Sequence, residues 1–194
     1  ETRSLVAADD PLTVTLVNRA VATRDRATFG QLYDRFVEKI YHYLCARCGE
    51  QANAKDLTEQ VFRKAWEGID RYCWQGLPFH AWLYRLAHTA RIELVNRQRH
   101  AIALDVDAHP VQLDNAMGSR ELAAQLDAGV LASAVRHLTP KQQQVIQLRF
   151  TADLDTSEIA QIMGEPEGAI RALQMRGLMS LRRVLDQQGV IGSL

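Results

Sequence analysis

The sequence has few cysteines and no long apolar run, and each shortage excludes a class of protein. Its cysteines, Cys45, Cys48 and Cys73, are odd in number and give no framework of disulfide bonds, which fits a reducing compartment. No run approaches the roughly 20 apolar residues that span a bilayer, and the first residues lack a basic segment followed by an apolar one. We therefore expect a soluble cytoplasmic protein without membrane insertion.

The short motifs of common enzymes are also missing. The sequence contains no glycine-rich phosphate loop, no nucleophile elbow and no pair of zinc-binding histidines on one helix. His42, Cys45 and Cys48 recur every three residues, but a single pair of cysteines without a second pair lacks the fourth ligand of a structural zinc site. We expect no catalytic residue, no metal and no cofactor, and hence a protein that is not an enzyme.

Net charge is absent as well, because 23 basic and 23 acidic residues cancel. This balance argues against a protein that coats nucleic acid by bulk charge. The balance is not local, however: residues 82–100 carry four arginines against Glu93, whereas residues 101–130 carry five acidic residues against Arg120. A basic segment followed by an acidic one indicates that phosphate attraction is confined to the first of them.

Helical periodicity is what the sequence does have. Apolar residues recur at intervals of three and four over residues 29–44, 57–66 and 79–99, and a shorter helix is predicted over residues 12–22. Residues 101–120 lack this periodicity, and no strand-like alternation occurs in the chain. We predict an all-α fold of two small helical domains, residues 12–100 and 122–187, joined by a flexible linker at residues 101–121.

The second half of the chain shows three further helix signals. Thr139 and Gln142 form a capping box around Pro140, which suits the first turn of a helix. Thr156 is predicted to cap a short helix over residues 157–163 that Gly164 ends. A last helix is predicted from about Pro166, and its apolar face comprises Ile170, Leu173, Leu178, Leu181, Val184 and Leu185.

The last two predicted helices have the pattern of a DNA reader. A short helix that ends in glycine, a tight turn and a second helix with Arg and Gln near its start are typical of a helix-turn-helix. Ile159, Ile162 and Ile170 would bury the inner face of this pair. Short helix pairs are also common in ordinary bundles, so this half alone leaves both interpretations open.

The two halves together resemble the extracytoplasmic-function (ECF) sigma factors of bacterial RNA polymerase. The matching segments are FGQLYDRFVEKIYHYL at 29–44, AKDLTEQVFRKAWEGIDRY at 54–72, FHAWLYRLAHTARIELVNRQR at 79–99 and LTPKQQQVIQLRFTADLDTSEIAQIMGEPEGAIRALQMRGLMSLRRVL at 138–185. They follow the family's order and cover about two thirds of the chain. The resemblance implies a sigma domain 2-like bundle and a sigma domain 4-like helix-turn-helix. It also implies three partners: core RNA polymerase, promoter DNA and an inhibitory anti-sigma factor.

The resemblance implies that the helix at residues 54–67 docks on the clamp coiled coil of RNA polymerase. The residues that match this role are Asp56, Leu57, Gln60, Phe62 and Lys64. Leu57 and Phe62 could instead belong to the hydrophobic core. Asp56, Gln60 and Lys64, spaced by four, form one polar stripe and are the better interface candidates, although such stripes are often only solvated faces.

The resemblance also assigns promoter contacts. Those implied for the minus-ten element are Tyr72, Trp74, His88, Arg91, Glu93, Asn96 and Arg97. An aromatic side chain suits an unstacked base, although Trp74 could instead cap the helical core. Those implied for the minus-35 element are Arg171, Gln174 and Arg176, since Arg pairs with guanine and Gln with adenine. The rival hypothesis is a helix-turn-helix transcription regulator with a helical sensor domain and no polymerase contact.

Overall fold

The structure is a computed structural model that describes residues 9–48, 51–72, 77–104 and 133–187, with side chains described up to residue 100 in the third range. Regular structure in these ranges is helical, and they contain no strand. The described residues fall into two compact units, the N-terminal unit (residues 9–104) and the C-terminal unit (residues 133–187). The predicted all-α fold of two small helical domains is confirmed.

The N-terminal unit consists, over its described residues, of α1 (Pro11–Thr23), α2 (Arg26–Cys48), α3 (Gln51–Gly68), a 3₁₀ turn (Ile69–Arg71) and α4 (Phe79–Leu104). Aspartates hold the starts of the first two helices. The Asp10 carboxylate accepts hydrogen bonds from the amides of Leu12 and Thr13, and Asp25 plays the same part at the start of α2. Each satisfies backbone donors that have no partner within the helix.

The hydrophobic core of the N-terminal unit lies where α2 packs against α3 and α4. Its largest fully buried side chains are Leu32, Ile40, Tyr43, Leu44, Val61, Ile69, Phe79 and Leu83. Leu57 and Phe62 are buried in the same core. Their burial supports the role in the hydrophobic core that the sequence left open for both, and Leu57 also forms part of the wall of a cleft between α3 and α4.

Helix α4 is longer than predicted. The apolar period ends near Arg99, and the linker was expected to start at residue 101, but α4 continues to Leu104. The segment 101–104 has the sequence AIAL and so contains no glycine or proline that would end the helix. The helix thus covers the first four residues of the predicted linker, whose remainder lies outside the described residues.

The C-terminal unit consists, over its described residues, of a helical stretch at residues 133–136 followed by α5 (Pro140–Phe150), α6 (Thr156–Met163) and α7 (Glu167–Gln187). The predicted capping box of Thr139 and Gln142 is confirmed at the start of α5. The cap predicted for α6 is wrong by one residue. Asp155, not Thr156, accepts the amide of Glu158, whose carboxylate accepts the amide of Asp155 in return.

Apolar side chains of all three helices of the C-terminal unit are buried. One cluster joins α5 and α7 through Ile146, Leu181 and Val184, together with Ala134 and Leu138, and Leu148, Ile159 and Ile170 are completely buried as well. Gly177 allows α7 to approach α5 closely, because a Cβ atom there would lie 3.2 Å from Cγ1 of Ile146. Leu178, predicted on the buried face, is 41% exposed. Its position is turned away from the stripe formed by Ile170, Gly177, Leu181 and Val184.

Candidate nucleic-acid and polymerase interface

Helices α6 and α7 pack against each other as a helix pair with a tight turn. Gly164 ends α6 in the left-handed conformation, with φ of 65°, a geometry that glycine adopts without strain. The predicted inner residues Ile159, Ile162 and Ile170 are all buried, so the hydrophobic core fixes the angle between the helices. The face of α7 opposite this core is left to solvent. A major groove can accept a helix presented in this way.

The three predicted minus-35 residues do not share one environment on α7. Arg171 and Arg176 are exposed, whereas Gln174 is half-buried on the flank nearer the hydrophobic core. The Arg171 side chain is 68% exposed and pairs with Glu167 one turn earlier, with 2.7 Å between the guanidinium and the carboxylate oxygen. Such an exposed pair has little intrinsic strength, so Arg171 can exchange Glu167 for a phosphate or a base.

The centre of the exposed face of α7 carries two apolar side chains that sequence reasoning missed. Met175 is 61% exposed and Met179 is 63% exposed. Arg176 lies beside them, and its Nε donates a hydrogen bond to the Ala172 carbonyl of the same helix at 3.2 Å. The spacing of the buried residues of α7 could have revealed this, since Met175 and Met179 fall opposite Ile170 and Leu181 at 100° per residue.

The residues predicted to face DNA from α4 divide among three sides of the helix. Asn96 lies on one exposed side, where it continues a stripe of Arg85, Thr89 and Ile92. The intervals of four, three and four residues place all four on one face. Sequence reasoning missed Arg85 and Thr89 as candidates, although the same intervals are visible in the sequence.

His88 and Arg91 turn towards the C-terminal end of α2. Arg91 donates a hydrogen bond from Nε to the carbonyl of Arg47 at 3.1 Å, which satisfies a terminal acceptor of α2. Partial burial, together with the positive charges of Arg47 and Arg91, lowers the pKa of His88 to about 4. The imidazole is therefore neutral near pH 7, so the positive charge of this helix comes from its arginines and not from His88.

Glu93 and Arg97 turn to the opposite side of α4, towards α3. Glu93 accepts a hydrogen bond from Nζ of Lys64 at 2.8 Å, so a residue predicted to contact DNA pairs with one predicted to contact polymerase. Arg97 lies one turn further along the same side and lines a cleft between the two helices. Both residues are exposed and lie on the side of α4 that adjoins α3, apart from the stripe of Arg85, Thr89, Ile92 and Asn96.

The cleft between α3 and α4 has a volume of about 620 Å³. Its lining residues are Asn53, Asp56, Leu57, Glu59, Gln60, Arg63, Leu94 and Arg97. Asp56 and Gln60, from the predicted polar stripe, form part of its wall, and Lys64 follows one turn later beside Glu93. Acidic and basic side chains alternate there, which suits a protein partner of mixed charge better than a row of phosphates.

Tyr72 lies at the edge of the predicted base-capture segment. Its ring packs against Phe79 and Trp82, with ring centroids 5.6 and 5.0 Å away, and its hydroxyl donates a hydrogen bond to the Leu77 carbonyl at 3.1 Å. Tyr72 is thus held by the start of α4. Trp74, the other aromatic candidate, lies outside the described residues.

The cysteines of α2 show no sign of a metal centre. Cys45 and Cys48 are half-buried free thiols, and burial raises the pKa of Cys48, which keeps that thiol protonated. Within the described ranges no three His, Cys, Asp or Glu side chains are grouped as metal ligands would be. In those ranges, too, no helix has the length and apolar character needed to cross a membrane.

Two family models match the chain, and each falls on one of the two units. Sigma-70 region 2 matches residues 32–101, and sigma-70 region 4 matches residues 134–183. Two solved structures have a similar fold. The CnrH chain in complex with the cytosolic domain of CnrY gives a TM-score of 0.62 at 21% identity, over 91% of this chain and 98% of CnrH. The sigma factor RpoE in complex with the anti-sigma factor NepR from Bartonella quintana gives 0.63 at 21% identity, over 81% and 96%.

Curated relatives agree with these matches. The ECF RNA polymerase sigma factor BldN of Streptomyces coelicolor is 36% identical over 177 residues, which are 88% of this chain but only 64% of BldN. The ECF RNA polymerase sigma factor SigW of Bacillus subtilis is 25% identical over 86% of this chain and 94% of SigW. With regions 2 and 4 together matching more than half of its residues, the chain belongs to the sigma-70 family, in the group of ECF sigma factors.

Proposed function

We propose that this protein is an alternative sigma factor that binds core RNA polymerase, recognises minus-ten and minus-35 promoter elements and directs the initiation of transcription. The observation that carries the proposal is the match to region 2 and region 4, in that order, on one chain. The helix pair of α6 and α7 supports it, since its exposed face suits a major groove. The polymerase performs the chemistry, so the proposed role requires no catalytic residue and no cofactor in this chain.

The polymerase surface that we propose is the cleft between α3 and α4. Asp56 and Gln60 are among the polar side chains of its wall, and the ion pair of Lys64 and Glu93 extends it by one turn. Arg97 adds a positive charge to the same wall. A partner surface with complementary charges would gain orientation from such a pattern as well as affinity.

The minus-ten surface that we propose is the exposed stripe of α4, with Arg85, Thr89 and Asn96 as its polar members. Arginine can contact phosphate, while the shorter Thr and Asn side chains can reach base edges. Tyr72 would offer a ring surface to an unstacked base at the start of the helix, and we propose the same role for Trp74.

For the minus-35 element we propose contacts from Arg171 and Arg176, which flank the exposed face of α7. Gln174 is half-buried, and we leave it out of this surface. We further propose residues 12–100 and 122–187 as the two functional domains. Family membership implies an anti-sigma factor as the inhibitory partner, and we propose that the protein acts in the cytoplasm beside the polymerase.

A reconstituted transcription reaction tests the proposal. The purified chain is mixed with core RNA polymerase and a set of genomic promoter fragments, and both complex formation and run-off transcripts are measured. A sigma factor forms a stable complex with the core enzyme and yields transcripts with defined start sites. A helix-turn-helix regulator with a sensor domain does neither by itself, so the absence of both results would favour that rival.

A further inference from the structure

The first turn of α4 is held by a carboxylate from the other end of the N-terminal unit. Asp9 accepts hydrogen bonds from the backbone amides of Phe79 and His80, the first two residues of the helix. Its second contact with His80 joins a carboxylate oxygen to Nδ1 at 2.7 Å. Asp9 and His80 are 70 or more residues apart in sequence, and their side chains are only 6% and 13% exposed. This contact is therefore a specific, enclosed one.

Helix α4 is capped by a distant residue because the residue immediately before the helix cannot cap it. Pro78 stands immediately before Phe79, and proline has no side-chain oxygen to accept an amide of the first turn. A negative charge at this end also interacts favourably with the positive end of the helix dipole. The neighbouring Asp10 caps α1 and pairs with Arg35 at 2.6 Å, so adjacent carboxylates fix the starts of two different helices.

The first turn of α4 supports a residue of the proposed minus-ten surface. The Phe79 ring lies edge-on to the Tyr72 ring, with 5.6 Å between centroids, and Phe79 itself is almost completely buried. A shift of the Phe79 backbone would thus move the ring against which Tyr72 packs. The chain of contacts runs from the Asp9 carboxylate through the Phe79 amide to the Tyr72 ring.

We propose that Asp9 is a positioning residue for minus-ten recognition: its carboxylate fixes the first turn of α4 and thereby the Phe79 ring that supports Tyr72. This inference rests on the proposed function. Asp9 acts through Phe79 and does not itself contact DNA. Its loss should therefore weaken the capture of single-stranded minus-ten DNA while core polymerase binding and minus-35 binding remain.

The test uses the full chain in holoenzyme with the variants Asp9→Ala and Asp9→Asn. Affinity is measured for a single-stranded oligonucleotide that carries the minus-ten region of a promoter on which the wild-type holoenzyme initiates. We expect Asp9→Ala to weaken this affinity by about fivefold, the effect of removing a helix cap. Asp9→Asn, which keeps one acceptor oxygen but not the charge, should give a smaller loss. Core association and binding of minus-35 duplex should stay within about twofold of wild type.

Asp25→Ala is the matched control. Like Asp9, Asp25 accepts two backbone amides at a helix start and makes one side-chain contact, in its case with the Thr28 hydroxyl, but it caps α2. It should leave the oligonucleotide affinity unchanged. Should Asp9→Ala fail to fold, as judged by circular dichroism, Asp9→Asn and His80→Gln carry the same comparison.

Two outcomes would overturn the inference while the proposed function stands. A folded Asp9→Ala holoenzyme that binds the oligonucleotide as tightly as wild type would remove the positioning role alone. An equal loss in Asp25→Ala would show that general stability, not the position of Phe79, governs the affinity. A wild-type chain that forms no complex with core polymerase would instead overturn the proposed function, and the inference with it.

Discussion

Gly164 carries the turn on which the helix-turn-helix depends. Its φ of 65° is strained for any residue with a Cβ atom, although no atom would clash with that Cβ. We expect Gly164→Ala to reduce the free energy of unfolding of the C-terminal unit by about 1 kcal/mol. Gly168→Ala is the control, since Gly168 also has open space but no left-handed backbone. Urea denaturation should show that the control is at least as stable as wild type. An equal decrease in the free energy of unfolding in both variants would refute the prediction that backbone strain at residue 164 is the cause.

His88 gives the N-terminal unit a predictable dependence on pH. Its folded pKa of about 4 lies below the ordinary value of 6.5, because burial and two nearby arginines oppose its protonation. The unfolded chain therefore binds the proton more readily, and the folded state loses stability as the pH falls from 6.5 towards 4. The free energy of unfolding should fall between pH 7.5 and pH 5, and we expect this fall to be smaller in His88→Gln than in wild type by roughly 1–2 kcal/mol.

The matched control for this prediction is His100→Gln, because His100 is exposed on the same helix. The control should unfold with the pH dependence of wild type in chemical denaturation at the two pH values. If His88→Gln also keeps the full pH dependence, the proton that destabilises the unit binds elsewhere.

At the scale of the element, periodicity predicted which helices form but not how their polar sides are used. Helix α2 shows its apolar face in the sequence because its apolar residues pack on α1, α3 and α4. Helix α4 is different, since it contacts α2 on one flank and α3 on the other, and its polar residues are divided between these contacts and solvent. His88 and Glu93 look alike in sequence as polar residues of a basic segment, and only packing separates their roles.

The starts of helices show the same limit. Thr139 and Gln142 could be recognised as a capping box because both members lie within four residues. Asp155 was overlooked in favour of Thr156, since both are good caps and the sequence alone does not choose between neighbours. Asp9 could not be predicted at all, because it caps a helix that begins 70 residues later.

Helix α7 offers a direct test of the proposed minus-35 surface. Arg171 and Arg176 are exposed and lie outside the hydrophobic core, so replacing either by Ala should leave the C-terminal unit folded. A base contact would cost about 1–3 kcal/mol and relax selectivity at one position, while a phosphate contact would weaken all sequences and reduce the salt dependence. Binding is measured with promoter duplex and holoenzyme at several salt concentrations. Arg182→Ala, further along the helix, is the control, and wild-type binding by both test variants would remove α7 from the DNA.

At the scale of the whole molecule, the proposed polymerase cleft and minus-ten stripe use different residues of the N-terminal unit, and the proposed minus-35 surface lies on the C-terminal unit. The order of region 2 and region 4 was visible in the sequence because each carries a long, characteristic set of residues. The cleft between α3 and α4 was not, since its wall combines residues about 40 positions apart, such as Asp56 and Arg97. If polymerase binds there, that function should be separable from DNA recognition by mutation.

The most direct measurement is therefore the affinity of the double variant Asp56→Arg, Gln60→Arg for core polymerase. The full chain is used, and binding is detected by fluorescence. Gln31→Arg, Asp34→Arg is the matched control, with the same substitutions on the exposed face of α2. We expect the test variant to lose affinity for core enzyme by at least about 30-fold, because the substitutions remove one negative charge and add two positive charges in a cleft whose charges otherwise balance. Circular dichroism should show it folded, and its binding to minus-35 duplex should be unchanged, while the control binds core enzyme as wild type does. A folded test variant that forms holoenzyme and initiates normally would contradict the assignment of this cleft to polymerase.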